Sequence, residues 1–268
     1  MKATALLRAP SKLKLRESDA ARRPLDDGDK AAVKDRTEKL LERVAELQPM
    51  LHAQRRHKVL LVLQGMDASG KDGAIRTLFG QINPVGIRAE WFQAPTAVEA
   101  AHDYLWRVHR KVPGLGELTV FNRSHYEDVL VARVLGTVDA REAGRRLAQI
   151  RDFERMLAET GTTILKVFLH ISKDEQRERL QARIDDPEKQ WKFDPSDIAQ
   201  RAKWNTFQRL YEEVIAATDA DHAPWYVVPA DSKPHRDLAI AALLLETLKG
   251  LKPRWPKPHP MVKDLKIR

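Results

Sequence analysis

The join at residues 58–71 constrains this chain most: the apolar run Lys58-Val-Leu-Leu-Val-Leu-Gln64 passes directly into Gly65-Met66-Asp67-Ala68-Ser69-Gly70-Lys71. A short continuous apolar run ending at glycine suits a central parallel strand covered on both faces. The next seven residues have the G-x-x-x-x-G-K spacing of a phosphate loop between a strand and a helix. Its glycines let the backbone curl close around an anion. Inward N–H groups and the positive end of the following helix favour that anion, and Lys71 adds a full charge.

The rest of the chain alternates helix and strand signals. Val33, Leu40, Leu41, Val44, Leu47 and Leu51 recur at helical spacing before the first strand, as do Ala143, Leu147, Ile150, Phe153 and Leu157 later. Strands are expected at Ile87–Phe92, Leu118–Phe121, Thr162–Ile171 and Trp225–Val228, and a last helix at Leu238–Leu248. Thr96 with Glu99 reads as a capping box opening a helix toward Val112, and Ser172 with Glu175 as a second. This rhythm predicts a three-layer α/β fold with a parallel sheet of about five strands and flanking helices.

Three segments depart from it. Residues 1–29 lack a period and read as an irregular N-terminal arm before a domain spanning 30–250. Residues 185–204 are crowded with charge, then restart a helix with Asp194 as N-cap and Pro195 at its first position, which suits a lid. Residues 251–268, rich in proline and lysine, read as an extended strap or tail.

With 43% hydrophobic and 32% charged residues the composition is globular, and no apolar run is long enough to span a bilayer. No secretory signal pattern opens the sequence, so a cytoplasmic location is expected. The absence of cysteine excludes disulfides, thiolate catalysis and cysteine-bound zinc. A net charge of +9 points to a polyanionic partner, with solubility as the alternative reading.

Two positions in the loop are unusual. Asp72 stands where such loops ordinarily carry the Ser or Thr that meets Mg²⁺. Asp67 places a carboxylate where phosphates bind, which is repulsive unless a cation lies between them; a turn-forming aspartate is the alternative. The third strand runs into Asn122-Arg123-Ser124-His125-Tyr126-Glu127, at the carboxyl end of the sheet where ligands bind in doubly wound folds. Asn122 offers a carbonyl oxygen to Mg²⁺ and Arg123 a fork for phosphate. His125 is a weaker candidate, since a lone histidine is more often packed than catalytic.

The strings GMDASGKD, Asn83-Pro84, Ala94-Pro95-Thr96, NRSHYED, Pro187 to Trp191 and Trp225-Tyr-Val-Val-Pro-Ala230 together resemble the second family of polyphosphate kinases, in order over about residues 35–250. The resemblance implies a P-loop kinase fold that moves phosphoryl groups between inorganic polyphosphate and nucleoside mono-, di- and triphosphates, with Mg²⁺ or Mn²⁺. It implies catalytic roles for Asp67, Lys71, Arg123 and Arg183, with Gly65, Met66, Ala68, Ser69, Gly70 and Asp72 cradling phosphate and nucleotide. Asn122 stands where many members have aspartate, so Asp67 is the surer metal ligand. The NRSHYE version resembles a subclass that accepts both mono- and diphosphates, and Glu127 is the position associated with that range. Lys189 and Lys192 in the lid either meet phosphate on closing or are solvated surface residues. No membrane and no nucleic acid partner is expected; a homo-oligomer is left open. The competing readings are an ATP-dependent kinase of a nucleotide or small metabolite, and a nucleic-acid-binding protein with a vestigial loop.

Overall fold

In the computed structural model, which describes residues 2–80, 82–263 and 266–267, α1 (Ala3–Leu6) and α2 (Lys30–Gln54) precede the first strand, β1 (Lys58–Gly65). There follow α3 (Lys71–Phe79), β2 (Ile87–Trp91), α4 (Ala97–Ala100), α5 (Trp106–His109), β3 (Leu118–Asn122), α6 (Glu127–Leu135) and α7 (Ala140–Glu159). The chain continues through β4 (Thr162–His170), α8 (Lys173–Asp185), α9 (Pro195–Ala202), α10 (Trp204–Thr218), β5 (Trp225–Pro229) and α11 (Lys233–Leu251).

The five strands are all parallel, in the order β2-β3-β1-β4-β5. β1 is hydrogen-bonded on both edges, and Leu60, Leu61, Val62 and Leu63 are each at most 1% exposed. Burying each such side chain stabilises the fold by about 1.5–3 kcal/mol, so the loop that follows β1 hangs from a rigid element. Helices α2, α3 and α11 pack together on one face of the sheet and α6, α7 and α10 on the other, giving the expected three-layer α/β fold. Because β1 has β3 on one side and β4 on the other, the strand order reverses there, and a crevice opens at the carboxyl ends of β1 and β3. The register Leu63↔Asn122 sets the loop beside the end of β3.

Two local expectations fail. The capping box at Thr96 forms, but α4 ends at Ala100 and no helix reaches Val112. The Asp103 carboxylate accepts from the Leu105 N–H at 2.9 Å, a local bond that competes with the helical ladder and restarts the chain as α5. At the start of α8, Ser172 accepts from the Glu175 N–H, but Glu175 does not return the bond. Its carboxylate accepts instead from Arg179 Nε at 2.6 Å, so only half the box exists.

Among the described residues 2–29, α1 and a 3₁₀ turn at Glu17–Ala21 are the helical elements, yet this stretch packs closely. Ala9 donates to the Trp225 carbonyl and Val227 to the Leu7 carbonyl, both at 2.9 Å, which covers the open edge of β5. Past Lys252 the described residues are irregular and, up to 262, mostly exposed, apart from a 3₁₀ turn at Pro260–Lys263; the expected tail at 264, 265 and 268 lies outside the described residues. Among the described residues no helix is long and apolar enough to cross a membrane.

Candidate active site

The phosphate loop turns on Gly65, Ala68 at φ 61° and Gly70 at φ 95°. Glycine is required at both ends: a Cβ at Gly65 would lie 2.8 Å from the Leu169 carbonyl, and one at Gly70 would collide with the Arg236 guanidinium. Lys71 opens α3 and folds back under the loop, donating to the carbonyls of Gly65 at 2.7 Å and Met66 at 3.2 Å. Burial, with Arg123 second, brings its ammonium down from the ordinary 10.5 to about 8, against the opposing pull of Asp67, Glu127 and Asp72.

The end of β3 supplies the facing wall. Arg123 sits at φ 62°, a conformation that costs a residue with a side chain about 1–3 kcal/mol and recurs at functional sites. This turn aims its guanidinium back across the crevice. Nη2 donates to Asp67 Oδ1 at 2.7 Å and Nη1 to Glu127 Oε2 at 3.3 Å. Asn122 donates to Asp72 Oδ1 at 2.6 Å, linking the end of β3 to the first turn of α3. Glu127 stands behind Arg123, and with the Gln64 amide nitrogen turned toward it, its Oε1 accepts at 3.0 Å. Burial raises the Glu127 pKa, with Arg123 and Lys71 opposing. His125 is buried away from the crevice against Glu154 at 3.2 Å, within a core network that also holds Tyr126 and Lys166.

Helix α8 and the segment after it form the third wall. Arg183 donates from Nη1 to Asp197 Oδ2 at 3.0 Å and to the Lys192 carbonyl at 3.2 Å. Lys192 Nζ reaches within 4.0 Å of Asp72 Oδ2, and Lys189 pairs with Asp186. Asp194 caps α9 and Pro195 occupies its first turn, as the sequence predicts.

These walls enclose an open cleft of about 1000 Å³. It brings together Asp67, Ala68, Gly70, Lys71, Asp72, Asn122, Arg123, Arg183, Lys189 and Lys192. Gly65, Met66 and Glu127 lie beneath it, around a small cavity walled by Phe207 and Tyr211, and Ser69 is fully buried. Gln176, Arg179, Lys233 and Trp91 were not among the sequence candidates. Gln176 donates to the Asp67 carbonyl at 3.0 Å, while Arg179, Lys233 and the half-exposed Trp91 line the cleft. The available signal was the spacing of Gln176, Arg179 and Arg183, which puts all three on one face of α8.

A buried strand, a phosphate loop, and arginines converging on it at the switch point of a parallel sheet define a P-loop phosphotransferase. Residues 27–256 match the family model described as polyphosphate kinase 2. The AMP/ADP-polyphosphate phosphotransferase of Meiothermus ruber is 52% identical over 233 residues, covering 87% of each chain. The ADP-polyphosphate phosphotransferase of Rhodopseudomonas palustris is 43% identical, over 82% of this chain and 80% of its own. The crystal structure of polyphosphate kinase 2 from Arthrobacter aurescens TC1 superposes with a TM-score of 0.93 at 42% identity, covering 100% of this chain and 94% of that one. The chain belongs to the polyphosphate kinase 2 family.

Proposed function

We propose that this enzyme transfers phosphoryl groups reversibly between inorganic polyphosphate and nucleoside mono- and diphosphates. The observation that carries this reading is the cleft itself, where Lys71, Arg123 and Arg183 converge with Asp67 in a space open enough for a polymeric donor. The names of the relatives support the substrate classes, and the 52% identical AMP/ADP enzyme supports both acceptors. A terminal phosphate oxygen of the acceptor attacks the end phosphorus of polyphosphate. The P–O bond to the next phosphate breaks, and the shortened polymer leaves. Such a transfer needs positioning and charge neutralisation more than a nucleophilic side chain. Lys71, Arg123 and Arg183 spread the charge of the equatorial oxygens, and closure of residues 185–204, carrying Lys189 and Lys192, excludes water.

Among the described residues no three acidic, histidine or cysteine side chains form a metal cage. Mg²⁺ ordinarily takes only one or two carboxylates beside substrate phosphates and water, and Asp67 and Asp72, both lining the cleft, fit that pattern. Asn122, its amide nitrogen engaged by Asp72, offers its carbonyl oxygen. Mg²⁺ or Mn²⁺ held there would neutralise phosphate oxygens.

A second cavity of about 400 Å³ shares Glu175 and Lys233 with the cleft and is lined by Arg23 and Lys30 of the N-terminal region. It extends the path for a long polyanion beyond the cleft. Binding of long polyphosphate is therefore expected to weaken steeply with salt, while a nucleoside diphosphate held mainly at the loop responds less. Titrations across a salt series check this, and matching slopes would remove the extended path. The function itself is tested by measuring nucleotide product with polyphosphate and with ATP as alternative donors. Product from ATP alone would overturn it.

Glu127 touches Arg123 and does not line the cleft. Glu127→Asn is expected to lower kcat/KM about tenfold for mono- and diphosphate acceptors alike, because both depend on Arg123. A much larger loss with monophosphates would instead make Glu127 a determinant of acceptor choice.

A further inference from the structure

Arg179 projects from α8 into the wall of the cleft, three residues after Gln176 and four before Arg183. An arginine in such a place reads as a phosphate ligand. Its hydrogen bonds say otherwise. Nη1 donates to the carbonyls of Ala68 and Ser69, both at 3.0 Å. Nη2 donates to the carbonyls of Ala230 at 2.6 Å and Asp231 at 2.9 Å, and Nε donates to Glu175 at 2.6 Å. A guanidinium has five N–H donors, and here each has an acceptor. The side chain is only 9% exposed. Arg183, by contrast, makes its bonds through Nη1.

We propose that Arg179 is a positioning residue that sets the shape of the phosphate loop and does not itself bind phosphate. The two loop carbonyls it holds belong to the residues just before Gly70, one of them Ala68 in the left-handed conformation. Turned toward the cleft, those carbonyl oxygens would repel a bound phosphate. Held on Arg179, they leave the inner side of the loop to N–H groups. The other two carbonyls follow β5, where Ala230 also donates to the His170 carbonyl of β4 at 2.8 Å. One guanidinium therefore ties the loop to the end of the sheet. Lysine cannot replace it, having three donors on a single atom and no planar fork.

The kinetic arm of the test rests on the phosphotransferase reading; the binding arm does not. Arg179→Lys keeps the charge but loses the four-carbonyl bridge. It is expected to unfold cooperatively, to lose about 100-fold in kcat, and to bind inorganic tripolyphosphate at least about tenfold more weakly by calorimetry. In Arg179→Ala, guanidinium at millimolar concentration is expected to restore part of the turnover, while methylammonium does not. A Lys variant within about threefold of the parent in both kcat and tripolyphosphate affinity, or equal rescue by methylammonium, would overturn the proposal. If the Ala variant fails to fold, the Lys comparison decides alone. A parent enzyme with no turnover on polyphosphate would overturn the substrate reading and leave the tripolyphosphate comparison to judge Arg179.

Discussion

Lys71→Met is expected to reduce turnover by about a thousandfold while making the ligand-free protein more stable at pH 7. The loss follows from removing the ammonium folded under the phosphate loop. The gain follows from its burial. The Lys71 pKa falls from 10.5 to about 8, so the charged form is disfavoured by folding. At about 1.4 kcal/mol per pKa unit this amounts to a penalty of about 3 kcal/mol. That penalty is present in full below pH 8, shrinks as pH rises toward 10.5 and is absent above it. Methionine removes the penalty but leaves the Gly65 carbonyl without its lysine donor, at a cost of about 1–3 kcal/mol, while the Met66 carbonyl keeps the Ser69 N–H at 3.1 Å. The net gain at pH 7 is therefore about 1 kcal/mol, a rise in Tm of about 2 °C that reverses sign in strongly alkaline buffer. Thermal unfolding of both proteins from pH 7 to 11, beside a turnover assay, checks each part. Undiminished turnover would remove Lys71 from the site, and a lower Tm at pH 7 would show that the buried ammonium is not a burden on the fold.

Asp67→Asn is expected to cost about 10²–10³ in kcat, and the loss should persist at saturating Mg²⁺. Asparagine has nearly the same shape, and its carbonyl can still accept the bond that Arg123 Nη2 makes at 2.7 Å. What disappears is the negative charge on the loop. Without it, the half-saturating Mg²⁺ concentration should rise, and Arg123 should be drawn toward Glu127, its remaining anionic partner. Stability should change by less than about 1 kcal/mol, because the pair lies at the edge of an open cleft and is screened by water. Measuring kcat against Mg²⁺ concentration, with thermal unfolding as control, tests this. Turnover near that of the parent at saturating metal would mean that Asp67 is a loop-forming aspartate and nothing more.

The sequence by itself determined the sheet, the loop and the family. A strand's burial is written in its own apolar run, a helix's in its period, and a phosphate loop's in glycine spacing; these are signals confined to a few neighbouring residues. The resemblance pointed to Arg183, which does stand in the cleft with Asp67, Lys71 and Arg123. Tertiary structure alone decided the rest. Whether Thr96 started a long helix depended on Asp103 bonding its own backbone, which the capping signal does not encode. His125 and Glu127 are neighbours of Arg123 in sequence, yet one turns into the core and the other behind the guanidinium. Most of all, Arg179 meets carbonyls 110 and 111 residues earlier in the chain. Those acceptors are backbone atoms, which every residue carries. No choice of side chain at Ala68 or Ser69 marks them as its partners, so only the packing of α8 against the loop reveals what holds the loop in shape.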